Sequence, residues 1–489
     1  MSVTDRLQDK TLFRTDSFIA GDWASAPQSF AVTNPANGEH LADVADLGAE
    51  GARKAVAAAS EAFEGWKKTS PFERAKLLMK WHQLIMENIG DLATLITLEM
   101  GKTYREAQGE IVYGAAFIEW SAEEAKRIHG ETISTPFPGS RGWTIRQPIG
   151  VVGCITPWNF PNAMITRKCA PALAAGCTMV IKPAPETPLS ALALAELAKQ
   201  AGIPDGVFNV VCGDAKGIGE VLTSSPDVRM IGFTGSTEVG KLLMRQAADG
   251  VKRVALELGG NAPFIVMDDA DVEAAADGVV ASKFRSSGQT CVSANRIIAH
   301  PAIADQLVAA LEARVSKLKP GSGFEKDTDI GPLIHKEAVE RVDALVKQAR
   351  ETGARIITGG KPLIDELGGS FYAPTLIEGG SPDMDLACFE IFGPVASIYR
   401  AETEDEIIKL ANDTPYGLAA YLYTRDVNRI HRLTEGLEYG MIGVNAPMVG
   451  AASTPFGGVK ESGIGREGGK WGVEEFTELK YILLGGVDG

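Results

Sequence analysis

The chain has 489 residues, 45% of them hydrophobic and 23% charged, which are ordinary globular values; the length exceeds what one simple core holds and predicts two or three domains. A net charge of -15 argues against nucleic acid or an anionic membrane as the main partner, although it leaves room for a local basic pocket. Six cysteines without a CxxC pair and six histidines without an HxxxH or HxH pattern fit neither a disulfide framework nor a metal site. The N-terminal stretch has no signal-peptide pattern. The longest mostly apolar run, 170–181, is too short to span a bilayer and contains Pro and Gly. A reducing cytoplasm is the expected location.

In chain order, residues near 18–46 carry strand-like pieces with Asn37-Gly38 as a hairpin turn. From about 49 to 128 the pattern is helical. Ser70-Pro71-Phe72-Glu73 supplies an N-cap, a first-turn proline and a capping-box glutamate, and Gly90 is expected to end that helix. This region reads as scaffold without chemistry. From 148 to 257, β-rich runs alternate with helical segments, which predicts a parallel sheet covered by helices on both faces, with ligands beyond the strands' carboxyl ends. A second α/β region runs from 258 to about 440, and 476–489 forms a strand-like tail suited to pairing with another subunit.

Three loops follow the strands of the first sheet. Thr156–Pro161 follows the first and Lys182–Pro188 the second. Thr234-Gly235-Ser236-Thr237-Glu238-Val239-Gly240 follows the fourth and opens a helix whose free N–H groups suit a phosphate. This last loop nearly matches a Walker A sequence. Leu242 stands where a magnesium-binding hydroxyl is required, so an ATPase is rejected. The central stretch is Phe284–Asn295, where small and polar residues surround Cys291 after Gly288-Gln289-Thr290. Such a thiol is a candidate nucleophile, although a lone cysteine is more often a small buried hydrophobe. Glu257-Leu258-Gly259-Gly260-Asn261 ends the fifth strand with a carboxylate beside two glycines.

Together these stretches, with Glu390-Ile391-Phe392-Gly393-Pro394 and Pro455–Gly458, resemble the motifs of the aldehyde dehydrogenase superfamily, in its order, over about 18–480. The resemblance implies an α/β chain with a Rossmann-like parallel-sheet cofactor domain (1–130 and 150–257), a second α/β catalytic domain (258–469) and a small β oligomerisation arm (131–149 and 470–489). It implies a homodimer or homotetramer. Cys291 would attack the aldehyde, Asn159 and the Cys291 N–H would hold the oxyanion, and Glu257 would activate the water that hydrolyses the thioester. Thr156, Pro157, Trp158, Lys182, Ala184, Pro185, Gly235, Ser236, Val239, Leu258, Glu390 and Phe392 would bind NADP or NAD. Pro185 stands where NAD-preferring members carry a glutamate, so NADP should be tolerated.

Within the superfamily the resemblance is to succinate-semialdehyde dehydrogenases. Arg167 and Arg285 match positions that grip the substrate carboxylate, a task suited to a guanidinium fork. Phe456 and Ser453 join them as substrate residues. The loop position that usually supplies a serine is Gly450 here, which leaves glutarate semialdehyde or another ω-oxo acid open. Ser293 replaces the second cysteine of a redox switch found in some members. A CoA-acylating enzyme is the alternative within the superfamily, although its members lack the Glu257 carboxylate. A thiol esterase is the alternative of a different class.

Overall fold

A computed structural model describes residues 2–487. Five parallel strands form the middle of an eight-stranded sheet. In spatial order they are Arg253–Glu257, Val228–Thr234, Val151–Ile155, Thr178–Lys182 and Phe208–Val210. Their β-rich, almost continuously apolar sequences suit strands covered on both faces. The strand Val151–Ile155 lies between the second and the fourth in chain order, so the winding direction reverses beside it. Loops that leave the carboxyl ends at such a reversal splay apart and open a crevice. The loops beginning at Thr156 and Thr234 both leave there.

The second sheet has seven strands, parallel except for the edge strand Arg355–Thr358. Ala262–Val266 and Ala294–Ala299 sit side by side within it. The short strand Gly463–Ile464 returns to pair antiparallel with Leu256 and Glu257 in the first sheet. The region expected to belong to the second domain up to residue 469 therefore closes the edge of the first.

Ser140–Pro148 pairs antiparallel with Thr477–Gly485 along its whole length, and Thr132–Ile133 adds a third strand. The C-terminal tail thus finds a partner within its own chain. Its other edge has no strand beside it among the described residues, and Leu479, Tyr481, Leu483 and Leu484 are exposed.

Helix ends follow local chemistry. The Ser70 side chain accepts from the Glu73 N–H and Pro71 opens the helix Pro71–Glu87. That helix ends earlier than Gly90, because the Asn88 side chain donates to the Leu84 carbonyl at 2.8 Å and breaks the run. Gly90 instead lies in the first turn of the next helix, Ile89–Met100. Thr103 and Glu106 form a capping box at the start of the long helix Tyr104–Ala125. Among the described residues no helix is long and apolar enough to cross a membrane, and no cluster of His, Cys, Asp or Glu is placed to hold a metal ion.

Candidate active site

A cavity of about 520 Å³ lies at the crevice, a size typical of small-molecule sites. Cys291 lines it together with Asn159, Trp158, Arg285 and Phe456. The segment leading to the thiol is strained. Ser286 and Ser287 take left-handed backbone, with φ of 49° and 58°, where non-glycine residues cost roughly 1–3 kcal/mol. The Ser286 N–H donates to Glu106 Oε1 at 2.7 Å, and the Ser287 hydroxyl donates to the Gly331 carbonyl at 2.7 Å, which holds the turn in place. Two glycines bring backbones close. A Cβ on Gly288 would sit 2.2 Å from the Gly393 oxygen, and one on Gly260 would sit 2.3 Å from the carbonyl oxygen of Cys291.

The thiol of Cys291 is half-buried at the surface but closely surrounded elsewhere. Burial pushes it up to about 12, the Glu390 carboxylate adds to that, and Arg167 pulls the other way. The resting side chain is therefore a thiol, and a nucleophilic role would require a base to take its proton.

Asn159 reaches the same space from the loop after Val151–Ile155. Its side-chain Nδ2 donates to the Gln289 carbonyl at 3.0 Å and keeps a second hydrogen free. Its backbone carbonyl accepts from Lys102 Nζ at 2.8 Å. Lys102 also pairs with Glu110 Oε2 at 2.6 Å and lies 3.8 Å from the centroid of the Phe160 ring. Glu110 Oε1 in turn accepts from the N–H groups of Asn162 and Ala163. A wholly buried ion pair thus fixes the loop that carries the amide.

Glu257 ends its strand buried, with Oε2 unpartnered. Burial raises its carboxyl well above the usual range, and the nearby Glu467 carboxylate raises it further. The side chain does not line the cavity; it lies against Gly457, where an added Cβ would stand 2.9 Å from Glu257 Oε1. Glu467 is bound by Lys168, and Arg167 Nη2 lies 2.6 Å from Glu467 Oε2. Burial pushes Glu467 up, but Lys168 and Arg167 outweigh it and hold it below its ordinary value.

The aldehyde dehydrogenase family model matches residues 23–482. The chain belongs to that family. It is 52% identical to a 3-sulfolactaldehyde dehydrogenase of Pseudomonas putida, covering 99% of each chain. It is 51% identical to an NADP(+) succinate-semialdehyde dehydrogenase of Escherichia coli (strain K12), covering 98% of this chain and all of the relative. The crystal structure of an E. coli NADP dependent enzyme matches with a TM-score of 0.97 at 51% identity, over 98% of this chain and all of the other.

The family's dinucleotide cofactor fits the crevice. Gly235 and Ser236 line it at the start of the helix Thr237–Ala248, and a side chain at Gly235 would strike the Phe233 ring at 2.4 Å. Trp158 meets Phe392 edge-on at 5.4 Å, and Phe392 takes a left-handed backbone with φ of 50°. Glu390 accepts from the Gly260 N–H at 3.1 Å, and burial pushes its carboxyl up to about 7. Pro157 and Leu258 complete this wall.

The other expected cofactor residues lie outside the cavity's lining. Lys182 and Ala184 are buried, as is Thr156, whose hydroxyl is unpartnered. Pro185 and Val239 are exposed. Burial pulls Lys182 down, and Glu186 opposes it.

Of the expected substrate residues, Arg285, Arg167 and Phe456 line the cavity and Ser453 does not. Ser453 is exposed, because the loop turns Gly450 inward instead. Arg285 has no carboxylate partner among the described residues, its Nε is buried without an acceptor, and its guanidinium lies 5.6 Å from the Phe160 ring. Sequence reasoning missed Glu106, Glu110 and Tyr113, which the helix Tyr104–Ala125 brings to the cavity from a region expected to be plain scaffold. Their spacing places them along one helix face, a polar stripe within an otherwise apolar pattern.

Proposed function

We propose that the enzyme oxidises an aldehyde bearing a distal anion, most readily succinate semialdehyde, to the acid with NADP or NAD. The observation that carries this reading is the guanidinium of Arg285, which has no carboxylate partner among the described residues and lines a largely apolar cavity with the candidate nucleophile. A half-buried cation whose Nε has no acceptor is better satisfied when a ligand supplies the anion. The relatives named above act on aldehydes with a carboxylate or a sulfonate, and both anions suit a guanidinium.

In this reading the Cys291 proton first passes to solvent water, and the sulfur then bonds to the aldehyde carbon as the carbonyl π pair moves to oxygen. The free Asn159 amide hydrogen and the Cys291 N–H receive the oxyanion. Trp158, Gly235, Ser236, Glu390 and Phe392 would hold a nicotinamide dinucleotide, with Lys182 at the adenosine ribose, and that group would supply the hydride acceptor when bound. Glu257 then takes a proton from the water that cleaves the Cys291 thioester, releasing the acid and the thiol. To do so its side chain must turn from its place beside Gly457 toward the cavity. Its raised pKa makes it a competent base once ionised. The same carboxylate favours hydrolysis over transfer to CoA. The unpaired edge of Thr477–Gly485 suits a second copy of the chain in a homo-oligomer.

The test compares kcat/KM for succinate semialdehyde with that for butanal, which has the same carbon count. Charge-assisted bonds of about 1.5–3 kcal/mol predict a preference of about 10- to 100-fold, lost in Arg285→Ala. A ratio near one contradicts the assignment. Glutarate semialdehyde in the same assay reports the length of the pocket.

A further inference from the structure

The loop that would meet the adenosine ribose is short. Only residues 183–187 separate the strand Thr178–Lys182 from the helix Pro188–Ala201. Its strand end is held by the neighbouring strand, where Lys182 lies opposite Ile155. Its helix end is not held by its own residues. Pro188 has no N–H to cap, and Thr187 stands at the N-cap position without a side-chain cap, its buried hydroxyl unpartnered. The N–H groups of Leu189 and Ser190 therefore need acceptors from elsewhere. Glu99, wholly buried on the helix Ile89–Met100, supplies them. Its Oε2 accepts from the Leu189 N–H at 2.8 Å, and its Oε1 accepts from the Ser190 N–H at 2.9 Å and from the Ser190 hydroxyl. Burial pushes this carboxyl up to about 8, while the bonds from Ser190 and Leu189 pull it back. Charged or neutral, both oxygens keep a lone pair for the two N–H groups. Just beyond, after a turn at Gly101 with φ of 89°, Lys102 holds the Asn159 carbonyl in the loop that leaves the adjacent strand.

We infer that Glu99 is a positioning residue for the dinucleotide: by capping the helix Pro188–Ala201 from a different helix, it sets where the loop 183–187 lies and so how Lys182 and Pro185 meet the adenosine half. This rests on the cofactor reading of that loop given above. One short stretch then anchors two loops with separate tasks. Glu99 serves cofactor binding, and Lys102 serves the oxyanion donor. A loop held in its bound position before the ligand arrives spares binding the cost of ordering it.

The test is Glu99→Gln, which keeps size and shape but turns an amide NH₂ toward one of the two N–H groups. The KM for NADP, and the Kd for adenosine 2′,5′-bisphosphate measured by calorimetry, should each rise about tenfold, while kcat at saturating NADP and the KM for succinate semialdehyde stay within about twofold. Ser190→Ala is a milder change that leaves both N–H groups capped, and it should raise the same two cofactor constants about threefold. Two results overturn the inference: cofactor constants unchanged in Glu99→Gln, or a fall in kcat as large as the rise in KM, which would mean that Glu99 serves the fold at large. The same measurements on Lys182→Ala keep two failures apart. Constants unchanged there overturn the cofactor reading of the loop and the inference with it. Constants raised there but not in Glu99→Gln overturn the inference alone.

Discussion

Lys102→Met is the most informative single perturbation of the scaffold. Lys102 Nζ is wholly buried, pairs with Glu110 and donates to the Asn159 carbonyl. Removing one member of a buried pair costs about 3–5 kcal/mol. The low end, about 3 kcal/mol, applies here because Glu110 keeps the N–H groups of Asn162 and Ala163. The Asn159 carbonyl loses its donor, adding about 1 kcal/mol. The unfolding midpoint in urea should therefore fall by an amount equivalent to about 4 kcal/mol. Release of the loop should also misplace the amide, so kcat should drop toward the roughly 100- to 1000-fold loss expected for a missing oxyanion donor. Pairing Lys102→Met with Glu110→Gln should recover much of the stability, since no charge is left uncompensated and the amide oxygen can still accept from the Asn162 and Ala163 N–H groups, but not the kcat. A single variant with an unchanged urea midpoint and a kcat within twofold of wild type would refute the claim that this pair positions Asn159.

Three further outcomes follow from the site. Activity should rise with pH, because burial and Glu467 raise the Glu257 carboxyl and only its ionised form accepts a proton; a pH–rate profile should lose this limb in Glu257→Gln. Gly260→Ala would force a methyl to within 2.3 Å of the Cys291 carbonyl oxygen, so the nucleophile's backbone must move; kcat should fall by at least tenfold while far-ultraviolet circular dichroism stays unchanged. Gly450→Ala should raise KM for succinate semialdehyde more than for propanal in steady-state assays, because its methyl crowds the Tyr113 hydroxyl.

Much of the fold was legible in the sequence because strand and helix periods alternate clearly from 148 to 257, and a parallel sheet follows from that rhythm. Cys291, Asn159 and the glycines at 260 and 288 stand in compact local motifs; the structure brings Cys291 and Asn159 to one cavity and packs Gly260 against the Cys291 carbonyl and Gly288 against Gly393. Other features depend on contacts between residues far apart in the chain. Nothing near Arg167 announces Glu467, which shares its charge with Lys168 across the fold. Ser453 looked suitable by type and proximity, yet the loop path decides which residue faces inward, and it is Gly450. Tyr113 lies on a long helix that reads as scaffold, where only its spacing from Glu106 and Glu110 marks a shared polar face. Gly90 was a reasonable helix stop, but Asn88 reaches its own helix carbonyl first.

The central claim is that Cys291 carries the acyl group and Glu257 releases it. Its most direct test is intact-protein and peptide mass spectrometry of Glu257→Gln after mixing with succinate semialdehyde and NADP. The account predicts that a succinyl thioester accumulates on the peptide containing Cys291, in step with an initial burst of NADPH. An adduct on another cysteine, or a burst with no adduct at all, would contradict it.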